Sequence, residues 1–324
     1  MTELETLIKD LRKKYQDDYI LITSDLLTGT EDVISTGSLL VDAATGIGGI
    51  PLGRVTELYG VESSGKTTLC QYIVANAQKK GYTCAYIDTE QALDPDYMEI
   101  CGVDLGTLLL SQPDTMNIAL QLTEDLIASG EINLIIFDSV VGISTEAEKE
   151  KDLGERTVSS IAGLLTQYFR RNMSGIKQNN VGVVFTNQAR DVIGSYVPMV
   201  GTTGGHALKH YASLRMQTSK SKDIKQGEDI IGTECKVNFK KNKVGGFPGK
   251  VATYNILYGK GILRSADVVE AALEYGVLVQ RGAWINYAGE NISQGKQNLI
   301  DSLDANTELL DKIEVDTRKV MKNE

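Results

Sequence analysis

The sequence predicts an α/β fold with a mostly parallel central sheet, a short helix before it and a small α+β unit after it. Three observations carry this. Apolar runs bounded by turns recur at VTELY (55–59), CAYID (84–88), LLLS (108–111), LIIFD (134–138) and VGVVFTN (181–187), as strands covered on both faces require. Helix-like stretches at 66–80, 115–129 and 157–173 lie between them, the alternation of crossover helices. The 324 residues are 42% hydrophobic, enough for a substantial core.

In chain order, the first two dozen residues read as an amphipathic helix, with Leu4, Leu7, Ile8 and Leu11 at helical spacing among charges. So short a helix needs something to pack against. The core runs over residues 34–260. Beyond residue 205 the rhythm changes to strand-like SLRMQT (213–218), TECKVNFK (233–240) and ATYNIL (252–257), which extend the same sheet with antiparallel partners. From Gly261 to residue 324 a smaller unit follows, with helices near 265–275, 295–303 and 306–321 and a hairpin in VLVQRGAWINY (277–287).

Composition excludes several classes. No run approaches the roughly 18 apolar residues of a membrane span, and MTELETLIKDLRKKYQDD is too charged for a secretory signal, so the chain is expected in the cytosol. Its four cysteines form no C-x-x-C pair and only two histidines accompany them, which argues for reduced, buried thiols. A net charge of −10 argues against a general nucleic-acid coat, yet residues 209–250 hold ten Lys/Arg against four Asp/Glu. Alone, that stretch is either a solvated face or a nucleic-acid surface.

GVESSGKTTL (60–69) satisfies G-x-x-x-x-G-K-[ST] through Gly60, Gly65, Lys66 and Thr67, with a strand before it and a helix after it. The cradle, Gly60, Val61, Glu62, Ser63, Ser64, Gly65, Lys66, Thr67 and Thr68, turns backbone N–H groups onto phosphates. Lys66 reaches the β/γ oxygens, and the Thr67 hydroxyl ligates Mg²⁺. Asp138, ending an apolar strand, supplies a carboxylate to the ion's shell. Hydrolysis needs a further carboxylate to polarise a water. Asp88 ends a strand and Glu90 and Asp94 follow it; Glu90, just past the strand end, is the better candidate base, and read alone it is equally a capping or solvated glutamate.

Taken together, ISTGSLLVDAATGIGGIPLGRVTELYGVESSGKTTL, YIDTEQALDPDYMEICGVDLGTLLLSQPD, IIFDS, TNQ and TTGGHALKHYASLRM resemble the RecA recombinase family, in order, from about Ile34 to Asp301. The resemblance is to the bacterial form and its phage-encoded relatives, because the extra small domain follows the core. It implies a RecA-type ATPase core at 34–260, residues 1–33 as a helix and linker for protomer packing, and a C-terminal domain at 261–324. It implies ATP and Mg²⁺ as cofactors and a helical homo-oligomeric filament on single-stranded DNA, with double-stranded DNA at a secondary site and no membrane. The location implied is cytoplasmic, at the nucleoid or in a phage's host.

By the same resemblance Glu90 is the catalytic glutamate, Asp94 and Tyr97 contact the adenine, and Gln188 senses the γ-phosphate. The loop after Gln188 holds the single strand through Arg190, Tyr196, Val197, Thr202, Thr203, Gly204 and Gly205. EKEKDLGER (148–156) is either a first DNA loop or a solvated turn. Lys241 and Lys243 reach a neighbour's ATP, and Lys236 belongs to the secondary DNA site. The chain departs from the family at Gln91 (usually His), at His210 (usually Phe), at Asn238 (where a second basic residue is usual), in a loop one residue shorter after Gln188, and in a milder acidic tail. The function implied is ATP-dependent homologous pairing and strand exchange. The alternatives are a nucleotide-gated DNA-binding mediator with little hydrolysis, which the intact Lys66, Thr67, Glu90 and Asp138 oppose, and a phosphotransferase, for which an arginine-bearing lid is lacking.

Overall fold

The structure is a computed structural model that describes residues 3–15, 32–152, 161–191, 200–202 and 204–321. Expectations for Tyr196, Val197, Thr203 and residues 153–156 lie outside these. Residues 1–32 and 33–324 are separate compact units. The first contains α1 (Glu3–Tyr15), which leaves Leu7 half exposed.

The second unit is built on a mixed sheet. Strands β1 (Val33–Ile34) and β2 (Ile50–Pro51) pair at its start, flanking α2 (Leu39–Thr45). The phosphate-loop strand β3 (Val55–Gly60) leads into α3 (Lys66–Lys79). There follow β4 (Cys84–Asp88), α4 (Pro95–Ile100), β5 (Leu108–Ser111), α5 (Met116–Ser129), β6 (Leu134–Asp138), α6 (Glu146–Lys149), α7 (Ile161–Gln178), β7 (Gly182–Asp191) and β8 (Val200–Thr202). Then come α8 (Ala207–Tyr211), β9 (Leu214–Gln226), β10 (Asp229–Asn242), β11 (Val251–Leu257) and β12 (Gly261–Ile262). The sheet order is β12-β11-β10-β9-β3-β7-β6-β4-β5, with β8 paired to β7. From β9 to β5 the neighbours are parallel, and β10 to β12 add antiparallel partners at the β9 edge. This is the predicted α/β architecture. It brings the carboxyl ends of β3, β7, β6 and β4 to one edge, where ligands bind in open parallel sheets.

Near-continuous apolar runs are needed because the sheet divides two cores. Along β6, Leu134 and Ile136 face the core that includes α3 and the C-terminal helices, while Ile135 and Phe137 face the one that includes α5 and α7. In the latter, Phe137 and Phe185 lie 5.1 Å apart between ring centroids. Helix α5 starts at Thr115, whose hydroxyl accepts from Ile118 N, and stops at Gly130 with φ 72°.

Some elements differ from expectation. Helix α7 continues to Gln178 because Ile176 is buried beyond the predicted end at 173. Strands β9 and β10 extend well past the predicted segments, as a ribbon whose outer residues are mostly exposed. Backbone pairing from Asp229↔Gln226 onward holds it, with Lys220–Asp223 and Lys222–Glu234 ion pairs at 2.6 and 2.9 Å. No apolar alternation marks such a ribbon in sequence. All four cysteines are buried and free.

The C-terminal part contains α9 (Arg264–Glu274), an antiparallel β13 (Leu278–Arg281), β14 (Trp284–Tyr287) and β15 (Glu290–Gln294), then α10 (Lys296–Ala305) and α11 (Thr307–Met321). Asp267 of α9 caps α2: Ser38 Oγ and Leu39 N each donate to its carboxylate at 2.5 Å. Burial pushes the Asp267 carboxyl up to about 7, against those two hydrogen bonds, and pushes Asp42 up to about 6. Both folded values exceed the unfolded 3.8, so the folded protein holds protons that the unfolded chain has released. Stability therefore rises as pH falls from above 7 toward 4. We expect Tm to increase between pH 8 and pH 6, and Asp267→Asn to remove much of that increase. Parallel pH profiles for the two proteins would contradict this.

Candidate nucleotide and nucleic-acid site

Strand β3 delivers its loop under tight constraints. A Cβ on Gly60 would lie 2.3 Å from Thr218 O and Oγ1, so only glycine fits. Gly65, at φ 85°, caps α3 without a side-chain hydrogen bond. The first N–H groups of α3 are thus left without a side-chain cap and at the positive end of the helix dipole, which suits an anion. Lys66 Nζ folds over the loop, donating to Gly60 O at 3.2 Å and Val61 O at 2.9 Å. Burial lowers its pKa, while the Asp138 and Glu90 carboxylates oppose the shift.

Asp138 is 5% exposed and accepts three hydroxyls: Thr67 at 3.0 Å, Tyr86 at 2.7 Å and Thr186. The Thr67–Asp138 pair is a hard-oxygen donor set, as Mg²⁺ with retained waters and phosphate oxygens demands. The residues present therefore fit both a nucleoside polyphosphate and its metal. Register places Asp88 beside Asp138, and Asp88 is consumed locally, accepting from Gln91 N at 2.9 Å and Gln112 Nε2 at 3.0 Å. Glu90 is different: it is exposed at the strand end, and Ser139 Oγ donates to it at 2.9 Å. Gln91, after it, adopts φ 53°. Asp94 is the N-cap of α4, accepting from Asp96 N and Tyr97 N, and the Tyr97 hydroxyl lies 3.2 Å from Thr68 Oγ1. The phosphate loop and α4 thus meet at that pair.

Gln188 pairs in register with Gly60, at the level of the loop's first residue. From the next residue on, β7 forms a stem with β8, where Ala189 pairs with Thr202 and Arg190 with Gly201. Gly204 and Gly205 have a packing reason for being glycine, since Cβ atoms there would lie 2.8 Å from Leu165 and Ala162 of α7. Of the 148–156 stretch, the start is the one-turn helix α6 and its exit, held by a Thr145–Glu148 capping box. Lys236 is exposed on β10, opposite Ser219 and Thr253.

Lys241 is not brought to its own phosphate loop. It pairs with Arg215, three residues short of Thr218, which pairs with Gly60; the offset is about 10 Å along the strands. Its ammonium donates to Lys209 O and His210 O at the end of α8, at 2.9 and 2.8 Å. Lys243 is exposed just beyond the end of β10. Sequence reasoning missed Tyr86, Ser139, Thr186 and Thr218. Only Thr186 left a signal, as a polar residue beside Asn187 and Gln188 at the end of an apolar run; Tyr86 and Thr218 are placed by register, and Ser139 by the chain's turn after Asp138.

A parallel sheet with a glycine-bounded loop on a helix N-terminus, a lysine over that loop and a Thr–Asp oxygen pair defines a phosphate-loop nucleotide-binding protein. The RecA N-terminal domain family matches residues 2–263, and the RecA C-terminal domain family matches residues 266–322. Protein RecA of Mannheimia haemolytica is 42% identical over 98% of this chain and 86% of that protein. Protein RecA of Macrococcus caseolyticus is 39% identical over 98% of this chain and 90% of that protein, and the Acinetobacter baumannii protein 40% over the same shares. A crystal structure of the RadB recombinase shares the fold, with TM-score 0.53 over 71% of this chain and 98% of that one at 21% identity. The chain belongs to the RecA family, and it is a RecA-type recombinase, of the general kind that couples ATP and DNA.

Proposed function

We propose that this chain is a DNA-dependent ATPase that assembles as a helical filament on single-stranded DNA and catalyses homologous pairing and strand exchange in the cytoplasm. The observation that carries the reading is the path of β7. One strand sets Gln188 beside Gly60 and then runs directly into the β7–β8 stem, so whatever Gln188 senses is passed to the loop beyond it. A side-chain amide that bonds the γ-phosphate in one nucleotide state and not the other provides the differential contact a switch requires.

Glu90 takes the proton of the attacking water, with Ser139 orienting its carboxylate. Lys66 and the α3 N–H groups hold the phosphates, and Tyr97 and Asp94 border the base. Thr67 and Asp138 would hold Mg²⁺, which when bound would neutralise negative charge on the phosphates. Arg190, Tyr196, Val197, Thr202, Thr203, Gly204 and Gly205 line the single-stranded DNA path, and Lys236 a secondary duplex site. Residues 1–33 pack between protomers, 34–260 form the ATPase core and 261–324 the C-terminal domain. No helix among the described residues is long and apolar enough to cross a membrane.

Lys241 and Lys243 act on a neighbour's ATP. Support comes from the register that keeps Lys241 away from its own loop. The test is ATP turnover with and without single-stranded DNA, in wild type and in Lys241→Ala/Lys243→Ala. The double variant should bind nucleotide yet lose DNA stimulation. Mixed with Lys66→Ala it should recover activity, because some interfaces then contain two intact halves. Turnover equal to the sum of the separate variants, in filaments shown to be mixed, would mean each subunit works alone.

A further inference from the structure

Across one face of the sheet, four adjacent strands carry polar side chains near one level: Asn187 on β7, Glu57 on β3, Arg215 on β9 and Lys241 on β10. Glu57 pairs in register with Arg215, Arg215 with Lys241, and Asn187 with Tyr59, two residues on from Glu57. The first three are bonded in series, and Lys241 stands beside Arg215 in register. Asn187 Nδ2 donates to Glu57 Oε1 at 3.0 Å, and Arg215 Nε donates to Glu57 Oε2. The Arg215 guanidinium also lies 4.7 Å from the Tyr59 ring centroid. Glu57 and Asn187 are fully buried and Arg215 is 7% exposed.

A buried ion pair of this kind is a poor way to stabilise a sheet, because the desolvation of both charges rivals their attraction. What it does provide is orientation. A carboxylate accepts hydrogen bonds only, so the Asn187 amide must present Nδ2 to Glu57, and its Oδ1 is thereby aimed the other way. There it accepts from Gln188 N at 2.9 Å. At the far end of the seam, Lys241 feels the same charges: burial, Lys243 and Arg215 lower its pKa, and Glu57 opposes them. The seam thus runs from the residue beside the phosphate loop to the ammonium that holds the end of α8.

We propose that Asn187 is a positioning residue for Gln188, clamped by the Glu57–Arg215 pair, and that this clamp is needed for nucleotide state to be read out as DNA-stimulated hydrolysis. The inference rests on the assignment of Gln188 as the γ-phosphate sensor. Displacing a reader by an ångström can cost about a hundredfold in rate, and the Asn187 side chain is the seam's link to the Gln188 main chain.

The readout is the ratio of ATP turnover with single-stranded DNA to turnover without it, on the full chain. Glu57→Gln would leave Arg215 buried without its anion and is avoided. Asn187→Ala should lower the ratio about tenfold, and Asn187→Ala combined with Gln188→Ala should be no worse than Gln188→Ala alone. Asn187→Asp separates the roles. Facing Glu57 on β3, with Arg215 on β9 and Lys241 on β10 beyond it, the new carboxyl is a repelled anion at high pH. Protonated, it donates to Glu57 and accepts from Gln188 as asparagine does. Its ratio relative to wild type should therefore be low at pH 8 and recover by pH 6. A wild-type ratio in folded Asn187→Ala, multiplying losses in the double variant, or a flat pH profile for Asn187→Asp would each overturn the proposal. Should Asn187→Ala not fold, the pH profile alone decides. An intact ratio in Gln188→Ala would instead overturn the sensor assignment, a result visible without any change at Asn187.

Discussion

Lys66→Ala is expected to abolish ATP hydrolysis, with turnover falling by at least about 10³-fold, the scale on which charge-stabilising groups act in phosphoryl transfer. The side chain sits where its cost to folding is small: its hydrogen bonds are to two loop carbonyls, Gly60 O and Val61 O. Its contribution to the site is large, because it is a partly desolvated cation facing Asp138 and Glu90. Without it, phosphate oxygens would meet two carboxylates with only the α3 N–H groups and the metal in between. Strand exchange should be lost in parallel with hydrolysis. The check is steady-state turnover together with thermal denaturation; a folded variant that turns over at the wild-type rate would remove Lys66 from the mechanism.

Glu90→Gln separates chemistry from assembly. Glutamine keeps the length of the side chain and an oxygen to accept from Ser139 Oγ, which in the native protein donates at 2.9 Å. What it loses is the ability to take a proton, and general-base catalysis contributes roughly 10²–10⁴-fold. Turnover should fall by that factor, while nucleotide binding and filament formation persist, since Lys66, Thr67 and Asp138 are untouched. Single-turnover hydrolysis and electron microscopy with single-stranded DNA make the comparison. If Glu90→Gln fails to form filaments, Glu90 is a structural residue of the β4 end and the base lies elsewhere. Asp88 is a poor substitute, being buried and bonded to Gln91 and Gln112.

Much of this was legible in the chain because local physics wrote it there. A strand covered on both faces must be apolar throughout, so LIIFD and VGVVFTN announce themselves. A phosphate loop needs glycines where Cβ atoms cannot go and a lysine at a set distance along the chain, so GVESSGKTTL does too. Other elements were hidden: the outer β9–β10 ribbon and the third strand β15 are held by pairing, and the helices α2, α4, α6 and α8 are too short to show a helical period.

The α/β class, the phosphate loop and the candidate carboxylates can be read from the chain alone, since each depends on residues close together in it. Which distant residues share a level across the sheet emerges from the fold. Along the seam, Asn187 and Glu57, Glu57 and Arg215, and Arg215 and Lys241 are 130, 158 and 26 positions apart, and nothing in their local sequence marks them as partners. Strand order and register place them side by side, and these are set by how both faces of the whole sheet are buried.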